Sequence, residues 1–177
     1  IPFTVGGGIN SVEDAQAIIK AGADKVSINT AAVDHPEIVS EIAAKFGSQC
    51  VVLAIDTKLE DGEWKVYIHG GRTPTPLNAV DWALEGERRG AGEILLTSMN
   101  NDGTKNGFAL DITAAVSSAV NIPVVASGGA GTMQHFADVF QQTRASAALA
   151  ASIFHFGEIP IPRLKQFLKQ QNIEVRI

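Results

Sequence analysis

The chain has 177 residues, 45% of them hydrophobic and 19% charged, which suits one domain with its own core. A formal charge of -5 and a pI near 5.3 exclude a basic nucleic-acid footprint and a surface built for anionic membranes. One cysteine, Cys50, excludes an internal disulfide and fits a reducing, cytoplasmic setting, and no apolar run approaches a membrane span.

The chain opens without Met on Ile1-Pro2-Phe3-Thr4-Val5, a short strand pattern that reads as a cut rather than a natural start. It breaks into Gly6-Gly7-Gly8, and Ser11 then caps a helix with Glu13 and Asp14 in its first turn. Strand, glycine turn and helix N-terminus together offer backbone N–H groups to a phosphate. Gly22 is placed to end that helix at positive φ. Residues 24–30 are the next strand and its exit, and Asp34 and Pro36 are expected to start a helix closed by Gly47.

The apolar run 50–55 predicts a strand buried on both faces, as in a parallel sheet, with Cys50 as a buried inert thiol. Asp56 follows at once. Residues 59–63 form a turn, and the alternation over 64–68 predicts an excursion hairpin. Residues 70–76 are expected to be a loop that hands over to a helix from about residue 77 to residue 89, ended by Gly90-Ala91-Gly92.

Residues 93–98 are another strand, 99–107 a polar loop, and 110–120 a helix. A second glycine unit follows: Ile122-Pro123-Val124-Val125-Ala126-Ser127-Gly128-Gly129-Ala130-Gly131-Thr132. A helix over about 133–142, a strand over 147–150, a loop over 152–158 and a terminal helix over about 163–171 complete the order, with 175–177 as a tail. Strict alternation of strand and helix leaves a doubly wound open sheet or a (β/α)8 TIM barrel.

Residues 1–30 align with residues 122–152: Gly7-Gly8 with Gly128-Gly129, Ser11 with Thr132, and 26–30 with 148–152. Elements four units apart face each other across an eight-unit barrel, so the spacing favours a barrel of two half-barrels. The alternative is coincidence in Gly- and Ala-rich sequence. On the barrel reading the chain is a single domain, 1–177, that carries about six of eight units and lacks the first two.

Barrel chemistry sits at the C-terminal ends of the strands. Two phosphate grips then arise, one from Gly7, Gly8, Asn29 and Thr30, the other from Gly128, Gly129, Ala151 and Ser152 with Gly103 nearby. Two grips imply a substrate with a phosphate at each end; the bland alternative is tight turns alone. Asp56 ends an apolar strand at this mouth, where desolvation suits a carboxyl to acid–base work. A cap or an ion pair is the competing reading. Asp102 is a second candidate, with an Asp-Gly turn as its competitor. Lys58 and Lys105 are read first as solvated loop lysines able to supplement phosphate charge. His35, His69, His135 and His155 lack metal-ligand spacing, so neither metal nor other cofactor is expected. Lys25 and Glu93 start strands at the opposite end, where a salt bridge is the default.

The stretches Val5-Gly6-Gly7-Gly8-Ile9, Ser27-Ile28-Asn29-Thr30-Ala31-Ala32, Ala54-Ile55-Asp56, Asn101-Asp102-Gly103-Thr104-Lys105 and Ser152-Ile153-Phe154-His155-Phe156 together resemble the cyclase subunit of imidazole glycerol phosphate synthase, of histidine biosynthesis. The resemblance runs over the whole chain. It implies a (β/α)8 barrel and a lyase and cyclase reaction. A bisphosphorylated ribulosyl aminoimidazole carboxamide nucleotide and ammonia give imidazole glycerol phosphate and an aminoimidazole carboxamide ribotide. It also implies a partner glutaminase that supplies the ammonia. By this resemblance Asp56 is one of two catalytic aspartates, the other lying on the absent first strand. Phosphate contacts carry over to Gly8, Asn29, Thr30, Asp102, Gly103, Gly129, Ala151 and Ser152, and Lys25 and Glu93 match charged residues ringing the ammonia entrance. The sister isomerase of the pathway and a non-catalytic phosphate-binding module are the competing readings.

Three departures stand out. Residues 142–146 replace the family's usual Gly-Ala-Asp and are expected to weaken a helix stop. Asn100 stands where an acidic residue is common. The missing first quarter of the barrel predicts little turnover for the isolated chain and self-association through unpaired strand edges.

Overall fold

A computed structural model of the chain describes residues 1–176. Six parallel strands form the sheet in the order β1-β2-β3-β6-β7-β8. They are β1 (Thr4–Gly6), β2 (Lys25–Ile28), β3 (Val51–Glu60), β6 (Glu93–Ser98), β7 (Val124–Ser127) and β8 (Ala147–Leu149). The main helices are α1 (Val12–Lys20), α3 (Glu37–Phe46), α4 (Ala79–Arg89), α5 (Leu110–Ala119), α6 (Met133–Gln142) and α8 (Ile161–Gln170).

Spatial order follows chain order with no reversal. Each right-handed crossover therefore lays its helix on the same face of the sheet, and neighbouring helices touch in sequence from α1 to α8. A doubly wound sheet needs a reversal, so the architecture is the barrel type, left incomplete. Among the described residues β1 pairs only with β2 and β8 only with β7.

Period-two alternation sorts the strands into two faces. Val26, Ile28, Val51, Leu53, Ile55, Ile94, Leu96, Val124 and Ala126 are all buried in the layer between sheet and helices. Several of their alternates, Lys25, Ser27, Ala54, Asp56, Glu93 and Thr97, are half-buried and belong to the concave face. A second cluster, built on Phe108, Phe136, Ile153, Leu164 and Leu168, closes the C-terminal side.

The hairpin is longer than its sequence suggests. β3 runs on past Asp56 and turns at Asp61 and Gly62, both at positive φ, into β4 (Glu63–Ile68). That is the two-residue Asp-Gly turn whose twist matches the strands. Residues 73–78, expected as loop and helix start, form a third strand, β5 (Thr73–Asn78), antiparallel to β4. Pro74 and Pro76 obscure it in the sequence, but β5 pairs on one side only, where missing N–H groups are tolerated. Asn78 then caps α4, accepting from the N–H groups of Val80 and Asp81.

Two short helices replace expected strand exit and loop: α2 (Thr30–Asp34) and α7 (Ser152–His155). Asp34 closes α2 and does not cap α3, whose N-cap position is Pro36. Cys50 lies in a 3-10 turn, half-buried, with Sγ 3.3 Å from the Phe46 carbonyl, rather than buried within the strand. α6 does stop at Gln142: Thr143 turns extended, and its Oγ1 donates to the Val139 carbonyl at 2.6 Å. Asn100 has work to do as well, because its Oδ1 accepts from the Leu59 N–H at 2.8 Å, a bond that any Asn or Asp oxygen can make. Within the tail, Val175 and Arg176 have no regular structure, and Ile177 lies outside the described residues.

Two glycines show different constraints. Gly62 needs only its positive φ of 82, with open space around it. Gly92 needs its missing side chain, since a Cβ there would sit 2.2 Å from the Ser48 carbonyl oxygen. Gly62→Ala is expected to cost about 1–2 kcal/mol, the left-handed penalty. Gly92→Ala is expected to cost more, because backbone and not a side-chain tip must move. Urea midpoints of the two variants check that order.

Candidate active site

Asp56 sits where β3 leaves the parallel sheet. It pairs in register with Thr97 of β6 on one side and with Tyr67 of the hairpin on the other. The strand fixes the carboxylate at the C-terminal end of the concave face. Asn29, at the exit of β2, reaches across: its Nδ2 donates to Asp56 Oδ2 at 3.0 Å and to the Tyr67 carbonyl at 3.3 Å. Both amide hydrogens are thereby used, and Asn29 Oδ1 is left buried without a partner among the described residues.

Burial pushes the Asp56 carboxyl above its ordinary range. The Asn29 amide opposes that shift, and the Asp102 carboxylate, through repulsion, adds to it. The two aspartates singled out in sequence, 46 residues apart by number (102 − 56), therefore sense each other in space.

A cavity of about 500 Å³ joins Asp56 to the first glycine turn, with Gly7, Gly8, Asn29 and Thr30 in its lining. Gly7 and Gly8 have φ of 91 and 72, with open space where a side chain would stand, which leaves room for a ligand beside the turn. The hairpin contributes His69 and Gly70, which sequence reasoning did not place here. The His69 N–H donates to Thr30 Oγ1 at 2.9 Å, so the turn between β4 and β5 is tied to the grip. The available signal was Gly70-Gly71 directly after an alternating strand. This lining carries two carboxylates, Asp34 and Asp56, and neither lysine nor arginine.

A second cavity, about 230 Å³, gathers Asp102, Gly103, Ser127, Gly128, Gly129, Ala151 and Ser152. Its glycine turn is clamped where the first is open. Gly107 N–H donates to the Gly129 carbonyl at 2.7 Å, and Asn101 Nδ2 to the Gly107 carbonyl at 2.8 Å. A Cβ on Gly129 would lie 2.1 Å from the Gly107 oxygen. The two turns share local chemistry but differ in surroundings. A larger hollow, about 680 Å³, lies beside the C-terminal segment and contains none of these residues.

Neither candidate lysine is solitary. Lys58 Nζ pairs with Glu60 at 2.7 Å, and Lys105 Nζ pairs with Glu158 at 2.7 Å. At the other end of the strands, Lys25 and Glu93 pair with each other at 2.7 Å on the concave face, spanning β3 between them. His135 is absorbed by its helix start: its Nδ1 accepts from the N–H groups of Gly131 and Thr132.

The arrangement places glycine turns and hydroxyls beside two cavities and a carboxyl with raised proton affinity in one of them. That geometry agrees with what relatives of the chain are. Residues 1–160 match the family described as "Histidine biosynthesis protein". The chain is 60% identical over 177 residues to the imidazole glycerol phosphate synthase subunit HisF of Flavobacterium johnsoniae, covering 100% of the chain and 70% of that relative. The HisF subunits of Flavobacterium psychrophilum and of a Hydrogenobaculum species are each 59% identical, over 100% and 99% of the chain and 70% of either relative. Identity of that order along the whole chain leaves one assignment: the chain belongs to the histidine biosynthesis protein family, among the HisF cyclase subunits of imidazole glycerol phosphate synthase.

Proposed function

We propose that the two cavities hold the two phosphate ends of a ribulosyl aminoimidazole carboxamide nucleotide, and that Asp56 moves protons as ammonia adds to its ketone carbon. The observation that carries this reading is Asp56 itself. It shares a cavity with a phosphate-compatible glycine turn, and burial raises its proton affinity above that of an ordinary carboxyl. As ammonia attacks, the protonated carboxyl gives its proton to the developing alkoxide. The resulting hydroxyl leaves as water, so that the ketone carbon becomes an imine; ring closure then returns a proton to the carboxylate, and cleavage of the bond to the carboxamide nucleotide's nitrogen releases imidazole glycerol phosphate and the carboxamide ribotide.

Gly8, Asn29 and Thr30 serve the first phosphate in this reading, and Gly103, Gly129, Ala151 and Ser152 the second. Asp102 lies in the lining of the second cavity, where the reading places it against the second phosphate, and raises Asp56 by repulsion. A partner glutaminase supplies ammonia at the Lys25–Glu93 end, so the nitrogen crosses the concave face from strand starts to strand ends. We also propose that residues 1–30 and 122–152 are copies of one ancestral unit within a single domain. Each runs strand, glycine turn, helix, strand, short helix, with Ser11 and Thr132 capping equivalent helices. A lone cysteine and the absence, among the described residues, of any helix long and apolar enough to cross a membrane support a cytoplasmic setting.

In the full-length protein, Asp56→Asn is expected to lower ammonia-dependent turnover by about 10²-fold or more while substrate binding persists. Stopped-flow turnover and calorimetric binding check the two halves. Substrate supplied without ammonia stays unconverted in the full-length wild-type protein that turns it over with ammonia, which separates this reaction from an isomerisation. The same variant reports on stability. A carboxyl raised in the folded state contributes stability below its unfolded pKa and loses it as pH rises through its folded pKa. Asp56→Asn is therefore expected to raise the melting temperature at neutral pH, with the gain fading as pH falls through the carboxylate range. Lys25→Met or Glu93→Gln is expected to depress glutamine-dependent turnover more than turnover with free ammonia, measured side by side in the assembled synthase.

A further inference from the structure

The lining of the second cavity holds one lysine and no arginine. Lys105 is that cation, and Asp102 contributes a carboxylate to the same lining. A phosphate dianion entering beside Asp102 meets like charge, and Lys105 is the side chain there able to offset it.

The backbone around Lys105 is fixed. Its φ is 59, and Gly131 approaches so closely that a Cβ there would lie 2.3 Å from the Lys105 carbonyl oxygen. The loop is thus seated on the glycine turn, and the long side chain is the part free to swing. Its Nζ donates to both carboxylate oxygens of Glu158, at 2.7 and 2.8 Å. Glu158 lies between α7 and α8, 53 residues further along the chain. The two side chains are 46% and 41% exposed, so the pair is hydrated and adds little to stability. An ion pair of that kind exchanges partners readily when a stronger acceptor arrives, and phosphate oxygens make such an acceptor.

We propose that Lys105 is a binding residue for the phosphate in the second cavity and that Glu158 is its built-in competitor, so that carboxylate and phosphate contend for one ammonium. The proposal rests on reading this cavity as a phosphate grip. It makes the two partners of one salt bridge act in opposite directions. Removing Lys105 deprives the phosphate of its counter-charge. Removing the charge of Glu158 frees Lys105 and withdraws a nearby negative charge.

Steady-state kinetics with the bisphosphate nucleotide and free ammonia, in the assembled synthase, test this, with inorganic phosphate as competitive inhibitor. Lys105→Met is expected to raise KM about tenfold or more, the scale of one lost charge-assisted hydrogen bond, with the loss in KM rather than in kcat. Glu158→Gln is expected to lower KM, and the inhibition constant of phosphate, severalfold. A bridge that only braces the loop moves both variants the same way, and KM shifts of one sign, or none, overturn the proposal. Ser152→Ala separates the two levels. If it raises KM while Lys105→Met does not, the grip stands and the role of Lys105 falls. If none of the three variants alters KM or phosphate inhibition, the phosphate reading of the cavity falls with it.

Discussion

The handedness of the crossover constrains everything else in this molecule. A right-twisted strand feeding a right-handed helix returns to the sheet in one sense only. Because β1, β2, β3, β6, β7 and β8 follow one another without reversal, that sense places every helix on one face. The other face is left concave, lined by the alternate residues of each strand. Every group assigned a role at the strand ends or starts, from Asp56 to the Lys25–Glu93 pair, owes its position to that one-sided layering.

Within it, β3 is the element on which the site turns. Its first half is buried between neighbours on both sides, and its second half leaves the sheet to pair with β4. Asp56 lies at that junction. The sheet below it excludes water, and the hairpin beside it supplies the Tyr67 carbonyl that shares the Asn29 amide. A carboxylate in such a place lowers stability when charged, and its raised proton affinity follows from the same burial. Function and stability pull against each other at this residue.

The two glycine turns look alike in sequence and differ in the fold. Gly7 and Gly8 stand open on β1, whose outer side has no partner among the described residues, beside a lining without lysine or arginine. Gly128 and Gly129 lie under the loop 99–107, which presses on them through Gly107 and brings Lys105 to the rim. Local sequence repeats local structure, whereas the charge each turn sees comes from loops outside the repeat. Symmetric grips thus meet their phosphates with different electrostatics.

Much of this was legible in the residues. The strand-helix order, the caps at Ser11 and Thr132, the Asp61-Gly62 turn and the placement of Asp56 depend on neighbours a few positions away, and local rules reach that far. What stayed hidden depended on distant chain. β5 was masked by two prolines that are tolerated only because the strand is an edge. Pro36 stands at the cap position assigned to Asp34, because the short helix α2 ends on Asp34 just before α3 begins. Two contacts, Lys105 to Glu158 and His69 N–H to Thr30, arise between segments that no periodicity links, as does the repulsion of Asp56 by Asp102. Local sequence marked the six parallel strands, the main helices and the residues at the strand ends, but not β5, α2 or α7. Tertiary structure alone decided which of those ends share a cavity and which charges face each other, because long-range electrostatics and packing are set by the curvature of the whole sheet.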